Sequence, residues 1–265
     1  MRFYKFSADG VERWGYFENG RVVGITDIDE RDETGEDYDL SDVGVLPPFF
    51  GTKIICLGLN YKSHAEENRA RPSKKPILFS KATTAVVGDG DAVIKPKTVQ
   101  NLDYEVELAC VVGKNAKRVG REEAYDHILG YTILNDISAR DLQFSEKQWF
   151  RSKSGDTFCP LGPCIVSKEE IEDPMDLDLE MKINGKTMQK SNTGEMIFDI
   201  PAIFEFITEV MTLMPGDIVA TGTPAGVGAF REPPYYLKDG DIMEAWVEDV
   251  GMLQNRVAFS PTLDY

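Results

Sequence analysis

Cationic side chains and imidazoles are scarce in this chain, and long apolar runs are missing. Of 265 residues, 45 are Asp or Glu against 29 Lys or Arg, a formal charge of −16, and there are two histidines. Such a surface repels polyanions, which argues against nucleic acid or an anionic membrane as a partner. No apolar stretch approaches the ~18 residues of a membrane span, and the start, MRFYKFSADG, has no apolar secretory core. The expectation is a cytoplasmic protein with no membrane partner. The four cysteines, Cys56, Cys110, Cys159 and Cys164, form no Cys-x-x-Cys pair, so a structural zinc site is not expected and the thiols read as free. Many of the acids fall in DIDERDETGEDYD, residues 27–39, which reads as a solvated loop. A salt-adapted source would explain the acidity equally well.

At 42% hydrophobic residues the chain can bury a substantial core. Residues 1–50 read as a small β-rich domain, with Asn19-Gly20 as a hairpin turn. VLPPFFG reads as a linker, so residues 51–265 form the larger domain. There, short Val/Ile/Leu-rich strands alternate with Gly, Pro and Asp turns, including Asn184-Gly185 and Pro215-Gly216-Asp217. Two helices are predicted. One covers residues 121–129; the other begins near Pro201, where proline suits a first turn and apolar residues recur at three-to-four spacing. Strands so outnumber helices that a mostly β, α+β architecture with peripheral helices is expected rather than a doubly wound sheet.

Chemistry concentrates in a few segments. NLDYEVELACVVG places Glu105 and Glu107 two positions apart, hence on one face of a strand. Two such charges brought within 4 Å at an effective dielectric near 20 repel by about 4 kcal/mol, so they must be separated, protonated or neutralised. A divalent cation neutralises them, with Asp136 at the end of YTILND as a further oxygen donor. The alternative is a wet strand face with Tyr104, Val106 and Leu108 inward. His64 in LGLNYKSHAEEN has Glu67 three residues on, so one helical turn would let Glu67 hold a ring nitrogen, the arrangement of a general base. An inert surface pair would look the same, and His127, among polar residues, reads as structural. Arg140, Gln143 and Lys153 offer a guanidinium for a carboxylate and an ammonium for an enolate oxygen, or simply a solvated surface. TGTPAGVG lacks the Gly-Lys-Ser/Thr of a phosphate-cradling loop.

Taken in order, GLNYKSHAEE, LDYEVELACVVG, LNDISARDLQ, SKSGDTFCPLGP and PGDIVATGTPAGVG resemble the fumarylacetoacetate hydrolase family over roughly residues 51–258. The resemblance implies a rolled or barrel-like set of mixed β-sheets, assembled as a homodimer. It implies Mg²⁺ or Mn²⁺, one ion per subunit, held by Glu105, Glu107 and Asp136. It implies a catalytic dyad of His64 and Glu67 on a mobile lid, with Lys153 also catalytic, and Tyr61, Arg140, Gln143 and Thr223 as contacts to a small 2-oxo acid. Hydrolysis of a 2,4-dioxo acid through a metal-stabilised enolate is the expected reaction. The same enolate would serve an oxaloacetate decarboxylase or a 2-hydroxyhepta-2,4-diene-1,7-dioate isomerase, and an inactive metal-binding scaffold is the non-enzyme alternative.

Overall fold

The computed structural model describes residues 1–28, 30–71 and 73–260. Among these, strands dominate and form a twelve-stranded sheet, a five-stranded sheet and one short two-stranded ladder. The path of the large sheet runs Glu33–Asp39, Arg21–Ile25, Val11–Glu18, Arg2–Ala8, Cys159–Ser167, Ile128–Asn135, Val106–Val112, Ile218–Ala220, Ile54–Gly58 and Ile77–Lys81. The five-stranded sheet runs Lys186–Asn192, Asp178–Ile183, Ile242–Val247, Gly251–Phe259 and Ala92–Lys95. No helix is long and apolar enough to cross a membrane among the described residues.

Both hairpin turns form where the chain can take positive φ: Asn19 and Gly20 at 50° and 85°, Asn184 and Gly185 at 51° and 75°. Two successive residues of this kind give the turn whose twist matches antiparallel strands. The N-terminal strands enclose a small core of Phe6, Ala8 and Val22. They also continue the large sheet, since Arg2 and Phe3 pair with Val166 and Ile165. The acidic stretch is not wholly a loop: Glu33–Asp39 is an exposed strand at the sheet edge, held by pairing to Arg21–Ile25 and by ion pairs from Arg13 to Glu36 and from Arg21 to Asp37. An edge lined with charge resists pairing with other chains. Residues 121–127 form a 3₁₀ helix rather than an α-helix reaching 129, because Ile128 already begins a strand paired with Val106–Val112. The helix at Pro201 spans Ile200–Thr208, with Asp199 capping the Ala202 N–H at 2.8 Å.

Val106–Val112 is the central strand and is buried on both faces. Val106, Leu108, Cys110 and Val112 join the large core between the two sheets, with Leu179, Ala245 and Phe204. Ala109 and Val111 join a second core with Ile54, Cys56 and Leu161. Alternation therefore turns Glu105 and Glu107 toward the second core rather than toward water. All four cysteines are free and buried. The sheet pairings bring four strand ends to one rim: the ends of Ile54–Gly58, Ile128–Asn135 and Ile218–Ala220, and the start of Val106–Val112.

Candidate active site

At that rim, Glu105, Glu107 and Asp136 converge, with carboxylate oxygens within 4.8 Å of one another. The strand proper begins at Val106, so Glu105 stands just ahead of it, fixed by backbone. Its N–H donates to Asn135 Oδ1 at 3.0 Å, and its carbonyl accepts the Asp136 N–H at 2.8 Å. The wet-face alternative fails, because Glu105 and Glu107 are only 5% and 1% exposed.

Cations compensate this buried charge unevenly. Lys153 Nζ donates to Glu105 at 2.8 Å and to Asp136 at 2.6 Å, and Lys81 pairs with the other Asp136 oxygen. Arg140 donates to Glu105 at 2.6 Å, to Asp103 at 2.8 Å and to Gln143 at 2.8 Å. Burial opposes the charge on Glu105, but Lys153 and Arg140 overcome it, so its carboxyl lies below the usual range. Burial would lower the Lys153 ammonium, yet Asp136 and Glu105 hold it above its usual value. Glu107 has no such partner. One of its oxygens accepts the Gly222 N–H at 2.8 Å, and among the described residues no cation pairs with it. Burial, then repulsion from Asp136 and Glu105, pushes its carboxyl well above the usual range.

This donor set suits a hard divalent cation. Three oxygen ligands are preassembled, one of them has no compensating charge, and the buried Tyr61 hydroxyl beside it has no hydrogen-bond partner. A hydrated Mg²⁺ or Mn²⁺ would relieve both deficits.

The dyad forms as well. Helix α1, Lys62–Glu67, carries His64 and Glu67 on successive turns, and His64 Nδ1 meets Glu67 Oε1 at 2.6 Å. The carboxylate accepts, so in the neutral imidazole Nδ1 would carry the hydrogen and Nε2 the lone pair. The other Glu67 oxygen accepts the Gly226 N–H at 2.9 Å, and Ser63 Oγ accepts the Ala225 N–H at 3.3 Å, docking α1 onto the 221–228 loop.

His64, Glu105, Arg140, Gln143, Lys153 and Thr223 line one cavity of about 230 Å³. Tyr61 does not. Its ring is fully buried, and burial together with the Glu107 charge raises its phenol, which places it on the metal-ligand side. Thr223 reaches the cavity, but its hydroxyl donates to the Val106 carbonyl at 2.9 Å and accepts from Gln189 at 2.8 Å, so it is left able to accept from a substrate but not to donate. Glu107 and Asp136 stand behind the cavity wall.

Two residues of this arrangement lie outside the sequence reading. Lys81 gave no signal, since its partner is 55 residues away. Asp103 did, as a third carboxylate two positions before Glu105, although it ends the short strand Leu102–Asp103 of the two-stranded ladder rather than lying on the central strand. Besides Arg140, Asp103 accepts the N–H groups of Gly228 and Ala229 at 2.7 and 2.9 Å, tying the guanidinium to the end of the 221–228 loop. Asp103→Ala strips a buried cation of a partner, so denaturant unfolding is expected to show a loss of about 3–5 kcal/mol.

Comparison with known proteins identifies the family. Residues 53–258 match the family model described as fumarylacetoacetate (FAA) hydrolase C-terminal, and residues 1–48 match one described as Rv2993c-like, N-terminal. The mitochondrial oxaloacetate tautomerase fahd2 of Xenopus laevis is 43% identical over 220 residues, covering 82% of this chain and 69% of that one. Among solved structures, 2-hydroxyhepta-2,4-diene-1,7-dioate isomerase from Mycobacterium marinum superposes with a TM-score of 0.89 at 38% identity, covering 99% of this chain and 100% of that one. The fumarylacetoacetate hydrolase of Exiguobacterium antarcticum gives 0.88 at 37%, covering 98% and 100%. The matched stretch takes in every carboxylate, cation and dyad residue of this site and well over half of the sequence: this chain belongs to the fumarylacetoacetate hydrolase family.

Proposed function

We propose that the protein is a divalent-metal-dependent hydrolase that cleaves the C3–C4 bond of small 2,4-dioxo acids of the acylpyruvate type. The observation that carries this reading is that His64, oriented by Glu67, opens on the same cavity as Glu105, Arg140 and Lys153. A general base thus faces a site built to hold a 2-oxo acid.

Glu105, Glu107 and Asp136 would hold the cation, which would supply positive charge to stabilise the enolate as it forms. Arg140 uses three of its five N–H groups on Asp103, Gln143 and Glu105, which leaves two for the substrate carboxylate. His64 Nε2 takes a proton from water, whose oxygen adds to C4. The C3–C4 bond then breaks, its electron pair becoming the enolate of pyruvate, and the acyl part leaves as a carboxylic acid. Charge gathers on the C2 oxygen, toward which the third Lys153 N–H is free to point, the other two being held by Glu105 and Asp136. The proton on His64 returns to C3, giving pyruvate.

The names of the relatives, a tautomerase and an isomerase, favour a second reading, in which the same enolate serves such a reaction, or a decarboxylation, without attack by water. Steady-state assays of acetylpyruvate and oxaloacetate, with Mg²⁺ or Mn²⁺ and after chelation, separate the two. The expected result is metal-dependent release of pyruvate and acetate from acetylpyruvate. Failure to cleave it, with isomerisation of an unsaturated seven-carbon diacid instead, would establish the second reading.

A further inference from the structure

The cavity has two unlike ends. Its inner end is lined by Glu105, Arg140 and Lys153, which the mechanism uses, and by Thr223. Its outer end is aromatic and the mechanism leaves it unassigned. On the Lys153 side, Phe79 and Trp149 meet edge to face with centroids 5.5 Å apart, and the Lys153 ammonium lies 5.2 Å from the Phe79 ring. Trp149 is seated against Gly58, where a Cβ would come within 2.4 Å of the indole. On the His64 side, Phe230 lies 6.2 Å from the imidazole and 6.4 Å from Phe144. Two aromatic pairs therefore flank the way from the reacting atoms to solvent. Phe144 remains 63% exposed, an apolar ring left facing water at the rim.

Charge is as informative as shape. The cationic residues on the cavity wall, Arg140 and Lys153, are buried at the inner end in ion pairs, and the His64 ring is held by Glu67. Among the described residues lining the outer end, none is a lysine or arginine. A carboxylate placed there would lose hydration and meet at most the neutral amides of Asn68 and Gln143, whereas an alkyl or aryl group would bury apolar surface against rings.

We propose that the outer end is an apolar subsite for the substrate's distal group, so that the preferred substrates are 2-oxo acids ending in an alkyl or aryl chain rather than in a second carboxylate. This rests on the 2-oxo acid reading of the inner end. Phe144 and Phe230 on one flank, with Phe79 and Trp149 on the other, determine the specificity. The seven-carbon diacid in the name of the mycobacterial neighbour would accordingly be a poor ligand here.

Calorimetric titration of the Mg²⁺-loaded protein with pyruvate, 2-oxohexanoate and 2-oxoadipate tests this, the last two having six carbons and differing at the far terminus. Apolar contact gives roughly fourfold per buried methylene. The expected result is 2-oxohexanoate binding about tenfold or more tightly than 2-oxoadipate, with pyruvate between them. Phe144→Ala should shrink that ratio severalfold, Phe144→Leu should keep most of it, and Phe144→Arg should reverse it; the ring's exposure makes all three tolerable to the fold. Equal binding of the two six-carbon acids, or tighter binding of 2-oxoadipate, would overturn the apolar subsite while leaving the 2-oxo acid reading standing. A preference unmoved by Phe144→Arg would remove Phe144 from the subsite and overturn the assignment of that flank. If pyruvate and both longer acids fail to bind, the reading of the inner end falls and takes this inference with it.

Discussion

His64→Ala is expected to lower acetylpyruvate hydrolysis by about 10²–10⁴-fold, the range that a positioned general base contributes, while metal-dependent decarboxylation of oxaloacetate falls far less. The difference follows from where each reaction needs a proton moved. Hydrolysis requires water to be deprotonated beside C4, and the His64 Nε2 lone pair, freed by the Nδ1 contact to Glu67, is the base on that side of the cavity. Loss of CO₂ from a 2-oxo diacid forms the same enolate with no attacking water, so it depends on Lys153, Arg140 and the acidic triad instead. Parallel assays of the two substrates read the split. Equal loss of both would mean that His64 serves to seat α1 against the 221–228 loop rather than to activate water. Glu67→Gln sharpens the reading, because an amide can still accept the Gly226 N–H but no longer carries the charge that balances an imidazolium.

Glu107→Gln is expected to abolish metal-dependent turnover, a loss of about 10³-fold or more if the cation supplies several kcal/mol of charge stabilisation to the enolate, and yet not to destabilise the chelated protein at neutral pH. The carboxyl of Glu107 is buried, repelled by Asp136 and Glu105, and held well above its usual value. The sign of the pH effect follows. As pH rises above the ordinary carboxylate range, the unfolded chain releases the Glu107 proton and the folded chain retains it. Stability therefore falls with rising pH until the folded-state value is passed. Glu105 shifts the other way, so its contribution is already complete above its unfolded value and is constant in this window. Denaturant unfolding of metal-free protein from about pH 5 to pH 8 should show the wild type losing stability relative to Glu107→Gln. Saturating Mg²⁺ should reverse the order. Parallel curves for the two proteins without metal would mean that Glu107 is not under charge repulsion.

What could be seen in the sequence, and what could not, divides along local and distant causes. The hairpins at Asn19-Gly20 and Asn184-Gly185 and the helix at Pro201 were legible because their reasons lie within a few residues. The pairing of Glu105 with Glu107, and of His64 with Glu67, was legible for the same reason, as fixed spacings on a strand and on one helical turn. Residues 33–39 were not, because their composition is that of a loop and only pairing with Arg21–Ile25 makes them a strand. The 3₁₀ segment at 121–127 has an α-helical pattern that yields where Ile128 is drawn into the central sheet. Lys81 had no local signature at all. Thr223 and Tyr61 are instructive in another way: the family resemblance implied substrate contacts, but a hydroxyl already donating to the Val106 carbonyl and a phenol enclosed beside Glu107 are facts of three-dimensional neighbours. The aromatic rim was equally hidden, since its rings come from three separate segments: Phe79, the stretch holding Phe144 and Trp149, and Phe230.

A divalent ion held by Glu105, Glu107 and Asp136 is what the proposed reaction requires. Titration of chelator-treated protein with Mn²⁺, followed by electron paramagnetic resonance of the free ion, tests it most directly. The predicted result is saturation at a single Mn²⁺ per chain, displaced competitively by Mg²⁺ and lost in Glu107→Gln. Failure of the wild type to take up Mn²⁺, or uptake unchanged by Glu107→Gln, would contradict the account.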